Sequence, residues 1–569
     1  MNSLVIKFFI LSLISYTINA QTRAPIAEYI EYDTATPIYV KLETGQILKG
    51  NRNIVTFYYP NGDEEERIIY EFLSLPFAEP PVGRLRFMRP VRLSSLFKTN
   101  IYNATYARPN CMQKGLAEKE MSEDCLYFNI WVPVTKDQDD LLYKSNSKIY
   151  SNNLANLKYI NNGFLFNKLR PVPTDDDRKT TMFWIHGGSN LYGSSNDDIY
   201  DGNILASSEN VIVASTNYRL AIFGFLFLNN TQAPGYSATY DQLLAIQWYK
   251  EKYLNFFGGL YKNLCLFGES AGADAISNLI HLDKNNLFNR VIPQSGAGLY
   301  DGPPNVKGEY SNSIRYVKKT GCLPSSFSSN QPIPQDAINC LLNLDRKVLT
   351  RIEDGPDWFP FVPVDKNRIL NIDVLVGSTQ NEATMFIDET FSGEYFGANE
   401  DVLNNKPGDT TKYDNSFSLK VISEYLSEES QKYSDCVHNL YTNVNSVFLN
   451  DNYTGYNNYN LNTPSNLRMN SRNLAWQKII KILSDQEYDC SAIDFRNRLR
   501  TSGKKFMYHL NKRPSYSDNP EWYGVAHADD LYFVFGISFQ YGSDIDRNDK
   551  IVSALMMNYW ANFAKHGIL

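Results

Sequence analysis

The chain has 569 residues, of which 43% are hydrophobic, 14% aromatic and 21% charged, with a mean hydropathy of −0.38. It is about four times as long as a typical domain, yet single α/β domains reach several hundred residues, so one large domain is expected and a small disulfide scaffold, a disordered tail and a polytopic membrane protein are excluded. Lys and Arg number 55 against 62 Asp and Glu, a net charge of −7, and no basic run is interleaved with aromatics, so no nucleic-acid partner is expected.

Lys7 precedes an apolar stretch over residues 8–18, and Ala20 before Gln21 offers a small residue at a cut, which is the pattern of a secretory signal peptide over 1–20. The stretch is short for a bilayer span and polar chain follows it. The sequons Asn103-Ala104-Thr105, Asn229-Asn230-Thr231 and Asn452-Tyr453-Thr454 fit a secreted glycoprotein. The far end carries Lys565 and His566 and no long apolar tail, so neither a GPI signal nor a C-terminal span is expected. Seven cysteines in an exported chain suggest three bridges and one thiol. Cys265 sits in the apolar run Leu264-Cys265-Leu266-Phe267 and reads as the buried thiol. Cys111 with Cys125 and Cys322 with Cys340 are natural local pairs, leaving Cys436 and Cys490 to pair with each other or to bridge between molecules.

Apolar runs at 182–185, 211–215 and 264–267 end in or near Gly-containing turns and are followed by helical patterns, which indicates a βα architecture with a largely parallel sheet flanked by helices. Ligands of such sheets lie at the carboxyl ends of the strands. An Asn-, Lys- and Tyr-rich segment at about 135–178 reads as a surface insertion on the single domain spanning 21–569, away from that face.

Gly268-Glu269-Ser270-Ala271-Gly272 matches the nucleophile elbow G-x-S-x-G. Chance alone would supply the pattern in about one chain in ten of this length, so the context decides. A strand pattern precedes it, and Ala271, Ala275, Ile276, Leu279 and Ile280 follow at helical spacing. Ser270 is then raised at a helix amino end, where the Ala271 N–H meets a developing negative charge. His186-Gly187-Gly188-Ser189 resembles the HGGG loop that completes an oxyanion hole, with Ser189 replacing the third glycine. His186 is assigned to holding that loop. A serine nucleophile needs a histidine base and an acid to orient it. His527 lies in a loop after the strand-like run 505–510, and Glu382 lies just past the buried run 373–376 and its Gly377 turn. The order Ser270, Glu382, His527 is that of α/β-hydrolases.

The chain resembles the type B carboxylesterase and cholinesterase family from residue 40 to about 567. The resemblance rests on Phe72-Leu73-Ser74-Leu75-Pro76-Phe77-Ala78-Glu79-Pro80-Pro81, on Glu123-Asp124-Cys125-Leu126-Tyr127-Phe128-Asn129-Ile130-Trp131, on Asn217-Tyr218-Arg219, on Gln294-Ser295-Gly296 and on Asn562-Phe563-Ala564-Lys565. It implies the α/β-hydrolase fold, Ser270 as nucleophile, Glu382 as acid, His527 as base, and Gly188, Ser189 and Ala271 as oxyanion donors, with Glu269 a supporting carboxylate beside the nucleophile. It also implies the bridges Cys111–Cys125 and Cys322–Cys340. The family's third bridge uses a cysteine beyond the histidine, and this chain has none after His527. A small-molecule carboxylic ester is the expected substrate, with no metal or cofactor. A binding or adhesion protein is the alternative, since the same fold hosts members that have lost catalysis; those commonly lack a triad residue, and the presence of all three here favours the enzyme. Choline esters are expected to be poor substrates. Cholinesterases place a tryptophan in the first disulfide loop and an aromatic residue three places after the acid; here the loop 112–124 holds no aromatic and that place is Met385, beside Phe386. Trp358, Phe359 and Phe361 are candidates for the wall of an acyl pocket.

Overall fold

In the computed structural model the described residues are 5–7, 26–34, 37–42, 45–95, 99–140, 178–298, 306–351, 369–386, 480–481, 483–519, 521–540 and 545–569. They divide into two compact units. The larger holds Tyr16–Leu375, Arg500–Lys505 and Leu531–Leu569, and the smaller holds Met1–Ser15, Val376–Leu499 and Phe506–Asp530.

The larger unit is built on a mixed sheet. Its centre is four parallel strands, β5 (Lys179–Ile185), β6 (Ile212–Thr216), β7 (Gly259–Glu269) and β8 (Arg290–Gln294), in the order β8-β7-β5-β6. Thr181 to Ile185 of β5 and all of β6 are buried, as befits strands covered on both faces. Antiparallel strands extend the sheet beyond β6: β4 (Tyr127–Val134), β3 (Glu64–Pro76), β2 (Ile47–Tyr58) and β1 (Tyr29–Thr34). A tight turn joins β2 to β3, with Tyr59 and Asp63 hydrogen bonded across it, and a parallel pair would have needed a crossover of a dozen or more residues.

Register sets the site. Ile185 lies opposite Thr216 on one side and Gly268 on the other, and Glu269 lies opposite Gln294. The loops beginning at His186, Asn217, Ser270 and Ser295 therefore leave the carboxyl edge at one level. Helices α2 (Ala271–Leu282) and α5 (Arg547–His566) flank the sheet, α2 against β7 and β8 and α5 against β5, β7 and β8; α1 (Ser237–Trp248) packs on α2, and α3 (Val306–Lys319) follows β8 along the chain. Asp546 caps α5 by accepting from the Asn548 N–H, and Trp560 donates to Gln294 Oε1 at 3.0 Å. In the core beneath the site, Trp184 packs on Phe267 and Phe535 with ring centres 4.8 and 5.1 Å apart.

The chain passes between the units along β9 (Asp373–Thr379) and β10 (Lys505–Leu510). In the smaller unit Tyr508 lies against Gly377, where a Cβ would come 2.3 Å from its ring. Helix α4 (Cys490–Arg498) follows a π-helical turn at Asp485–Asp489. A short strand, Val5–Lys7, pairs in parallel with Met507–His509; the rest of the expected leader lies outside the described residues. So does nearly all of the expected insertion. Cys111–Cys125 and Cys322–Cys340 are bridged, and Cys265 is a buried free thiol. Cys490 is also bridged, while Cys436 lies outside the described residues. Among the described residues no helix is long and apolar enough to cross a membrane.

Candidate active site

In the larger unit β7 turns into α2 through Ser270, which holds φ 57° and ψ −127°, a backbone that side chains rarely adopt. The flanking glycines are sterically required. A Cβ on Gly268 would lie 2.7 Å from the Ile185 carbonyl oxygen, and one on Gly272 would lie 2.1 Å from the same atom. The Ser270 N–H donates to the Gln294 carbonyl at 2.9 Å and its own carbonyl accepts from Ala273 at 2.8 Å, fixing both sides of the turn.

The loop after β5 lies directly on this elbow. A Cβ on Gly187 would come 2.9 Å from Glu269 Oε2 and 3.1 Å from Ser270 Cβ. Gly188, Ser189 and Asn190 all take positive φ, at 99°, 53° and 60°. Among the described residues no protein acceptor engages the N–H groups of Gly188, Ser189 or Ala271. Three amide donors beside a serine at a helix amino end suit an oxyanion.

Much of the sequence around this loop serves to hold it. The His186 ring stacks on Tyr218 at 4.3 Å, the Tyr218 hydroxyl donates to the His186 carbonyl at 2.8 Å, and His186 Nδ1 lies 2.8 Å from the Gly187 carbonyl. Burial pushes the His186 imidazole down to about 4, opposed by that carbonyl, so it is neutral near pH 7 and fits the loop-holding role. Asn217 Oδ1 accepts from the Ser195 N–H at 2.8 Å, and Asn129 Nδ2 donates to the Ser195 carbonyl at 3.0 Å. Gln113, inside the first disulfide loop, both donates to the Gly193 carbonyl at 3.0 Å and accepts from its N–H at 2.9 Å. Arg219 makes a buried two-pronged pair with Asp241.

In the smaller unit Glu382 and His527 meet. Glu382 is fully buried; its Oε1 accepts the Thr379 N–H at 2.5 Å and its Oε2 lies 2.5 Å from His527 Nδ1. A carboxylate only accepts at neutral pH, so Nδ1 carries the proton and Nε2 is left as the basic nitrogen. Phe386 and Tyr488 pack on the His527 ring at 4.9 and 5.1 Å.

Of the residues singled out from sequence, Glu269, Ser270 and Ala271 lie at the turn from β7 into α2, Gly188 and Ser189 lie in the loop after β5, and Glu382 and His527 are hydrogen bonded in the smaller unit. Reasoning from sequence missed Gln113 and Tyr488. Gln113 and Tyr488 sit in stretches without apolar periodicity, and only a three-dimensional neighbour gives them meaning. Of the sequon asparagines, Asn103 and Asn229 are exposed and Asn452 lies outside the described residues. Trp358, Phe359 and Phe361 also lie outside them.

Comparison with known proteins finds relatives along most of the chain. The chain is 28% identical to acetylcholinesterase of Electrophorus electricus over 88% of its own length and 76% of that protein. It is 28% identical to cholinesterase of Mus musculus, covering 87% and 75% of the two chains, and to acetylcholinesterase 1 of Caenorhabditis briggsae, again covering 87% and 75%. A family model described as the carboxylesterase family matches residues 39–568, which spans the elbow, the glycine loop and the buried histidine–carboxylate pair, and the chain belongs to that family.

Proposed function

We propose that this protein is a secreted serine hydrolase that cleaves carboxylic esters through an acyl-enzyme, with Ser270, His527 and Glu382 acting as one triad. The observation that carries this is the strained Ser270 elbow with three unengaged amide donors beside it. A merely structural turn has no need of such donors.

In the proposed cycle Nε2 of His527 takes the Ser270 proton as Oγ bonds to the ester carbon and the carbonyl electron pair moves onto oxygen. The N–H groups of Gly188, Ser189 and Ala271 hold that oxyanion. Collapse expels the alcohol, which takes the proton from Nε2. Water then gives a proton to the same nitrogen, attacks the acyl carbon, and returns Ser270 with release of the acid. Glu382 keeps the imidazole in the tautomer this requires and stabilises its charged form.

Neutral esters are the proposed substrates, with choline esters turned over poorly. In support, the loop closed by Cys111–Cys125 holds no aromatic residue, the position three places after the acid is Met385, and Phe386 beside it is engaged with His527 and Tyr488. Secretion is supported by the leader-like residues 1–20, the exposed Asn103 and Asn229, and the disulfides; cleavage after Ala20 would remove Val5–Lys7 from the edge of β10.

Turnover of a neutral aryl ester tests the triad. Ser270→Ala, His527→Ala and Glu382→Gln should each lose at least about 10³-fold in kcat while folding normally, because triad members act as a unit. A Glu382→Gln enzyme working at the wild-type rate would show that another carboxylate orients the histidine.

A further inference from the structure

The backbone that presents His527 is held from both sides by side-chain oxygens. The Val525 N–H donates to Asn381 Oδ1 at 3.0 Å, and the next amide, that of Ala526, donates to Asp529 Oδ2 at 2.8 Å. Asn381 returns a bond, its own N–H donating to the Val525 carbonyl at 2.8 Å. The residue immediately before Glu382 thus exchanges two hydrogen bonds with the residue two places before His527. Thr384 adds a tie between the same loops, its hydroxyl lying 3.0 Å from the Tyr523 carbonyl and 2.8 Å from that of Asn381.

Local sequence makes room for this arrangement. Gly524 takes φ 69°, and a Cβ there would lie 2.3 Å from Asn381 Oδ1, so a side chain at 524 would displace the asparagine. Ala528, between His527 and Asp529, also takes φ 69°. An alanine stays in that conformation only where its surroundings fix it. Asp529 supplies that restraint: it is fully buried, one carboxylate oxygen reaches back to Ala526 and the other accepts from the Ser517 hydroxyl at 3.1 Å.

On the basis of the triad proposed above, we infer that Asn381 and Asp529 are positioning residues for His527, clamping the two amides before it so that its ring meets Glu382. Neither touches a reacting atom. Their effect is geometric: the Nδ1 to Oε2 contact is 2.5 Å, and a misplacement of about 1 Å at a reacting group can cost on the order of 10²-fold in rate. Asn381 ties the base to the loop that carries the acid, whereas Asp529 sets the turn from the other side. The two clamps share no hydrogen bond, so each is testable by itself.

Steady-state kinetics on a neutral aryl ester test this, alongside thermal unfolding and wild-type and Ser270→Ala controls. Asn381→Ala and Asp529→Ala should each lower kcat about tenfold to a hundredfold with KM within about twofold. Asn381→Asp and Asp529→Asn, which retain an oxygen acceptor, should remain within about fivefold of wild type, a rescue that loss of packing volume alone would not produce. If Asn381→Ala does not fold, Gly524→Ala serves as a second variant, displacing the asparagine without removing a polar group, and should show the same fall in kcat. Wild-type kcat in a folded alanine variant, or equal losses in the alanine and conservative variants, would overturn the clamp. Absence of any Ser270-dependent turnover in the wild-type protein would instead overturn the triad itself.

Discussion

His186 shows how much one buried side chain contributes to the glycine loop after β5. Its imidazole is pushed from 6.5 to about 4 by burial, so the folded protein takes up the proton less readily than the unfolded chain does. The stability this confers is complete above the unfolded value and is lost as pH falls from about 6.5 toward 4, by on the order of 3 kcal/mol. Replacing His186 with Phe, which keeps a ring on Tyr218 but cannot be protonated, should flatten the fall in unfolding free energy over that window. Denaturant titrations of both proteins from pH 7 to 4 measure the difference, and parallel curves would show that His186 titrates as a solvated group. The neighbouring glycines were readable from sequence for a simple reason: Gly268 and Gly272 flank a serine, and only small residues pass that close to the Ile185 carbonyl. Asn381 and Asp529 were not, because an Asn and an Asp beside polar neighbours carry no pattern until the Val525 and Ala526 amides they hold are known.

Strands buried on both faces announce themselves. The uninterrupted runs in β5, β6 and β7 were expected as parallel strands, and they form the centre of the sheet. The antiparallel flank was less apparent, since β3 breaks its alternation at a register shift between Phe72 and Leu75, where Ser74 takes φ 54°. The π-helical turn before α4, which brings Tyr488 to His527, is likewise set by packing rather than by propensity. The loop from Cys111 to Cys125 joins two roles: its bridge closes a short segment, and Gln113 within it braces the Gly193 backbone. A Cys111→Ser, Cys125→Ser double variant should lose about 3 kcal/mol on the chain-entropy model for a loop of about fifteen residues. Its kcat should also fall if, as proposed, the loop that Gln113 braces carries the oxyanion donors. Urea denaturation and ester turnover report the two effects, and a variant unchanged in both would show that the bridge supports neither the fold nor the loop.

The proposed preference for neutral over choline esters is a property of the whole protein. A quaternary ammonium has no proton to donate and relies on aromatic faces worth roughly 0.5 to 2 kcal/mol each. On the proposal drawn from the aromatic-free loop 112–124 and from Met385, kcat/KM for a choline ester should be no better than for a neutral ester of the same acyl group, a loss of tenfold or more in cation selectivity at about 1.4 kcal/mol per factor of ten. A strong preference for the choline ester would point to an aromatic cage built from other residues and would leave the triad standing. The chemistry itself is settled by a single labelling experiment on the folded protein. After treatment with a fluorophosphonate, peptide mapping should find one covalent adduct, on Ser270, that is absent from Ser270→Ala and forms much more slowly in His527→Ala. A folded protein that takes no adduct at Ser270 would contradict the hydrolase and leave a binding protein on an esterase fold.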